Sequence, residues 1–155
     1  MTITSSDHDR LIRRATLAWA GARAVLGVVA LTDPPRVSRP WIGDDADGTG
    51  GRVFARALGG RDLALGVGAL YAAARGEGIR AWALASAGAD VGDAVITCAH
   101  WDELPRGRRA FIAALAGASA VAGATLAIAA PSSSAGRARP PSPASGRVGL
   151  KRRPG

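Results

Sequence analysis

The chain has 155 residues, nearly half of them hydrophobic, a single cysteine and a formal net charge of +8. One domain fits that length, and a lone Cys98 excludes an intrachain disulfide, a Cys-x-x-Cys redox pair and a cysteine-rich metal site. The positive charge does not mark a nucleic-acid binder, because six of the twenty basic residues (Arg137, Arg139, Arg147, Lys151, Arg152, Arg153) crowd the C-terminal tail and most others flank apolar segments as topology signals do.

Residues 1–14 form a polar arm ending in Arg10, Arg13 and Arg14, and the apolar run that follows, residues 15–31, holds Arg23 at its centre. The start resembles a secretory signal. The central arginine and the absence of a small-x-small cleavage site predict a retained first helix instead. From Thr32 to Arg56 the chain changes character, with Asp33-Pro34-Pro35, Pro40-Trp41 and a run of Gly and Asp from Gly43 to Gly51. Pro and Gly at that density predict a polar loop, with Trp41 suited to anchoring in a headgroup region.

Helix two is expected over residues 57–74 and helix three over 81–99, and the short link Arg75 to Arg80 makes them an antiparallel hairpin. After the turn His100 to Gly107 comes helix four, residues 110–130, an uncharged stretch of 21 residues with the length and polarity of a membrane-spanning helix. Beyond it, residues 131–155 are rich in Pro, Ser, Gly and Arg, which cannot build a core; a disordered basic tail near anionic lipid headgroups is expected.

The fold class that follows is all-α: a four-helix transmembrane bundle with a polar first loop, residues 15–130, in a cell membrane. Lys and Arg outside the helices number eleven on the side shared by the N-terminal arm, second loop and tail, against seven on the other. That places both termini in the cytoplasm.

Five ionisable residues fall inside the expected spans: Arg23, Arg61, Asp62, Asp90 and Asp93. An isolated charge at a bilayer centre costs roughly 2.5 to 3.5 kcal/mol, so five in one bundle demand partners. A helix rises about 1.5 Å per residue, which sets Arg23 and Asp90 near mid-depth and Arg61 level with Asp93. The expected pairs are Arg23 with Asp90 and Arg61 with Asp93, leaving Asp62 closest to the interface. Ser86, Asp90, Asp93 and Thr97, spaced four, three and four apart, form one polar stripe on helix three. Two arginines against three aspartates leave one carboxylate in surplus, which in a low dielectric holds a proton or finds water.

Small residues at four-residue spacing recur as Gly88 and Gly92, as Gly60, Ala64 and Gly68, and as Ser119 and Gly123. Close packing within one bundle explains them more simply than a dimer seam, and a homo-oligomer stays open. Asp45, Asp47 and Gly48 lack the remaining ligands of a calcium loop, since Gly43 and Phe54 occupy its first and twelfth positions. Gly66-Val67-Gly68 lacks the third glycine and the strand of a dinucleotide site. His8 and His100 have no companion ligands at useful spacing, and Ser86 and Ser119 have no histidine nearby in sequence, so no metal, no cofactor and no catalytic site are expected.

The segment Gly59-Gly60-Arg61-Asp62-Leu63-Ala64-Leu65-Gly66-Val67-Gly68, followed on the next helix by Asp90-Val91-Gly92-Asp93, resembles a family of small uncharacterised four-helix membrane proteins of high-GC bacteria. The resemblance covers about Ala15 to Ala130, implies four spans and transfers no active site. The expected role is structural or interaction-type, without enzymatic activity, in contact with the lipid bilayer. The alternative is a small transporter or proton-linked channel using Asp90 and Asp93.

Overall fold

The computed structural model describes residues 4–130, and these are helical almost throughout. The elements are α1 (Ser5–Thr32), α2 (Pro34–Ile42), a 3-10 turn (Gly43–Asp47), α3 (Thr49–Arg75), α4 (Ile79–Ala99) and α5 (Arg109–Ala129). Four long helices form a closed ring in which α1 packs on α3, α3 on α4, α4 on α5 and α5 on α1. The broadest contacts are α1 with α3 and α4 with α5, while α2 closes one end against α1, α3 and α5. The expected tail, residues 131–155, lies outside the described residues.

Two boundaries differ from the sequence expectation. From Ser5 onward the expected polar arm is helical because Thr4 caps α1, accepting the Asp7 backbone N–H at 3.3 Å, and Asp7 in the first turn suits the positive end of the helix dipole. The expected polar loop also holds more structure than its Pro and Gly content implied. Pro34 and Pro35 occupy the first turn of α2, where a missing N–H costs nothing and a fixed φ is already helical. Gly43, at φ 67°, then ends that helix. Asp44, Asp45 and Asp47 belong to the 3-10 turn, and Asp47 is paired with Arg39 instead of facing a cation.

Starting at Thr49, α3 gains two turns over the expected start at residue 57. Its 27 residues span about 40 Å, and Asp62 becomes its central residue. The link to α4 is short because Gly76 and Gly78 both take left-handed φ, 72° and 77°, and the Gly76 N–H closes the helix end on Ala72.

Buried positions step by three and four along α3 (Ala55, Gly59, Asp62, Gly66, Ala69 and Ala73) and along α4 (Ile79, Ala83, Ser86 and Asp90, with Thr97 two turns further on). The seam residues are small, so the backbones approach closely. A methyl placed on Gly27 would lie 2.5 Å from the Leu63 backbone nitrogen, and one on Gly66 would lie 2.7 Å from the Ala24 nitrogen. Gly59 meets Ala30 and the Gly27 carbonyl in the same way. The expected spacings fall elsewhere: nothing stands within 4 Å of a methyl added at Gly60, Gly88 or Gly92, and one added at Gly68 meets the Trp82 ring first. Gly123 alone of that set touches a neighbouring backbone, the Ala83 carbonyl at 3.1 Å.

Candidate functional site

The interior and the surface have exchanged their usual polarities. Thr16, Arg23, Ser38, Asp62, Ser86, Asp90 and Thr97 are buried, together with a core of mostly alanine. Leu11, Val25, Val67, Leu84, Val95, Ile96, Phe111, Leu115, Val121 and Ile128 point outward, the last 84% exposed. Soluble proteins expose scattered apolar groups, but charged residues are almost never fully buried in them unless paired. Here the charges gather in one place and large aliphatic groups line the outside of all four long helices. Two of these helices, α1 and α5, are long and apolar enough to cross a membrane.

The five expected charges meet in a single network at the centre of the ring. Arg23 of α1 donates through Nη2 to both carboxylate oxygens of Asp90 on α4, and through Nη1 to Asp62 Oδ1 on α3 at 2.9 Å. Arg61 of α3 grips Asp93 of α4 with two parallel bonds, Nη1 to Oδ1 at 2.8 Å and Nη2 to Oδ2 at 2.7 Å. Such fork-to-fork pairing fixes orientation as well as adding strength. Arg61 also donates to Asp62 Oδ1, from Nε at 3.3 Å and Nη2 at 3.1 Å.

Asp62 therefore occupies a different place from the expected one. Placed nearest the interface on the assumption that its helix began at residue 57, it is the buried link between the two arginines. The two extra turns at the start of α3 carry it to mid-helix, and the 3-4 repeat of the seam turns it inward.

Trp19, which sequence analysis did not single out, and Ser119, Thr97, Trp41 and Ser86, which it named for other reasons, complete the arrangement. Trp19, one turn before Arg23, lays its ring 5.4 Å from the guanidinium carbon. Its indole N–H donates to Ser119 Oγ of α5 at 3.3 Å, and Arg23 Nη2 donates to the same hydroxyl at the same distance. The signal for Trp19 was present in its four-residue spacing from Arg23, the spacing at which side chains on a helix meet. Thr97 returns its hydroxyl to the Asp93 carbonyl at 2.7 Å and accepts the Trp41 indole N–H at 3.1 Å. Trp41, expected at headgroups, thus ties α2 to α4. Ser86 is fully buried, and its Oγ has no hydrogen-bond partner among the described residues.

No cluster of His, Cys, Asp and Glu able to hold a metal occurs among the described residues. His8 Nε2 lies 3.3 Å from the Ala129 carbonyl and His100 Nδ1 lies 3.4 Å from Glu103, both exposed and far from the network in the fold. A shallow groove of about 340 Å³ runs between α2 and the start of α5, lined by Asp33, Pro35, Arg36, Arg39, Pro40 and Arg108, and does not reach the charges. Nearby, the Arg39 guanidinium hydrogen-bonded to Asp47 holds that carboxyl below its ordinary range and is itself pushed up by the same bond. At the other end of the molecule, Thr4 and Arg10 lower the Asp7 carboxyl through side-chain hydrogen bonds.

What the network can do chemically is limited by its own saturation. Asp90 and Asp93 each have both oxygens engaged by an arginine. Comparison with family models, with curated proteins and with solved structures found no match. The resemblance at Gly59–Gly68 and Asp90–Asp93 therefore rests on those residues alone.

Proposed function

We propose that this chain is an integral membrane protein whose four long helices cross the bilayer with both termini on the cytoplasmic side, and that its role is structural or interaction-type, the charge network fixing which helix lies beside which. The exchanged polarity of surface and interior carries this reading, since aliphatic groups on all outward faces suit lipid and not water. The charges that lower the hydropathy of α3 and α4 also have an account. Arg61, Asp62, Asp90 and Asp93 lie in the shared network, and Arg52, Arg56, Arg75 and Arg80 lie within about two turns of a helix end, where long side chains reach the interface. The anionic headgroups of the surrounding lipid are its nearest chemical partners. Transport through Asp90 and Asp93 gains no support from two carboxylates held on both oxygens.

Alkaline carbonate washing of membranes tests the embedding: the protein should stay in the pellet, and its release into the wash would overturn the proposal. Topology is read separately by replacing Cys98 with Ser and introducing Asp102→Cys at a side chain that is 98% exposed. Labelling of that thiol by a membrane-impermeant reagent in intact cells is the expected result. Labelling only after lysis would reverse the orientation.

A further inference from the structure

The network contains two guanidinium groups and three carboxyl groups, so with every member ionised it holds one net negative charge in the middle of the ring. Carboxylates that share a low-dielectric site do not all ionise. Its hydrogen bonds show which one is left over. Both oxygens of Asp90 accept from Arg23 and both oxygens of Asp93 accept from Arg61. At Asp62, three bonds from the two arginines converge on Oδ1 and none reaches Oδ2. An oxygen carrying a proton is a donor, and a guanidinium N–H opposite it would then face a hydrogen instead of a lone pair. Of the six carboxylate oxygens, Asp62 Oδ2 is the one that takes a proton without displacing an arginine.

We propose that Asp62 holds a proton on Oδ2 in the folded protein at neutral pH, making the network electrically neutral and giving the bundle a single buried proton-binding site. The groups that face Asp62 are Arg23 from α1, Arg61 from its own helix, and Asp90 and Asp93 from α4, with Ser119 of α5 bonded to Arg23 as the only contribution from the fourth helix. On α4, one turn from Asp90, Ser86 is wholly buried with its hydroxyl unpartnered among the described residues. A metal cation is a poorer neutraliser, because apart from Asp62 Oδ2 and a serine hydroxyl the seam has no free oxygens to build its shell.

The inference rests on the bundle being embedded in lipid, where no solvent can disperse the surplus charge. The test is infrared spectroscopy of the full chain in phosphatidylcholine vesicles at neutral pH, following the carbonyl stretch of a protonated carboxylic acid and its shift in heavy water. The parent protein should show that band, Asp62→Asn should lose it while melting no lower than the parent, Asp90→Asn should also lose it because two carboxylates then balance two guanidinium groups, and Asp47→Asn, outside the network, should keep it. If Asp62→Asn does not fold, Asp62→Glu decides, by shifting the band. Absence of the band from the parent, or its persistence unshifted in either Asp62 variant, overturns the proposal. Carbonate release of the parent would instead defeat the membrane reading, an outcome independent of the band.

Discussion

The seam between α1 and α3 and the junction between that pair and α4 are held by opposite means. Along α1 and α3 the close approach is made by glycine and alanine, with one charged bond, Arg23 to Asp62, at mid-length: Gly27, Gly59 and Gly66 bring the two backbones so close that a single added carbon has no room. Across to α4, side chains with full charges reach over the gap, Arg23 to Asp90 and Arg61 to Asp93. The first contact is selective by shape and the second by charge. In the lipid setting proposed above, helices gain no hydrophobic drive to associate, and each junction then needs one of these devices. The ring closes because α3 carries both, with Gly59 and Gly66 on either side of Asp62 along one seam.

The charge junction should be the more fragile to single substitutions. Asp90→Ala leaves the Arg23 guanidinium buried beside one remaining carboxyl, and a loss of about 3–5 kcal/mol in unfolding measured in detergent or vesicles is expected. The double variant Arg23→Gln with Asp90→Asn should recover a substantial part of the sum of the two single losses. Strict additivity would show that the two side chains do not act as a pair.

At the shape junction, Gly27→Ala and Gly66→Ala should each cost about 1–3 kcal/mol by overpacking, measured in the same unfolding assay. Gly88→Ala is the control. Its added methyl meets nothing, so stability should hold or rise by roughly 0.5–1 kcal/mol from the lower helical cost of alanine. A loss at Gly88 equal to that at Gly27 would show that an outward surface is packed against something else.

A smaller loss is expected for Trp19→Phe, which keeps a ring over Arg23 and removes the N–H given to Ser119. The expected loss is about 0.5–1.5 kcal/mol, and Ser119→Ala should add little to it if the two groups act together.

The smallest effect belongs to the exposed pair Arg39 and Asp47 at the end capped by α2. The folded protein holds the Asp47 carboxyl below its ordinary value, so this pair stabilises fully above the unfolded carboxyl pKa, near about 3.9, and its contribution is lost as pH falls through the lower folded value. Asp47→Asn should flatten that part of an acid titration of stability. High salt should weaken the contribution in the parent as well, since both groups are in solvent.

Much of the architecture is legible in the chain itself. The uncharged stretch ending at Ala130 and the 4-3-4 stripe of Ser86, Asp90, Asp93 and Thr97 identify helices and an inward face directly, because helical periodicity is a local property. Depth along a helix is nearly as local, since a fixed rise sets Arg23 level with Asp90, and their side chains meet. Depth fails for Asp62 because it depends on where a helix begins. The start of α3 at Thr49 is hidden among the glycines that were read as loop, and α2 is hidden behind prolines that serve as its first turn.

Sequence alone determined that the described chain is helical, that its charges lie within its apolar segments, and that α4 turns a polar stripe inward. Tertiary structure decided the rest. In a chain rich in alanine and glycine, small residues recur at four-residue spacing on every helical face, so Gly88 and Gly92 look the same in sequence as Gly27, Gly59 and Gly66. Which face meets another backbone is settled by how four helices close into a ring, and that closure is what brings Asp62 between two arginines whose sequence positions are 38 apart.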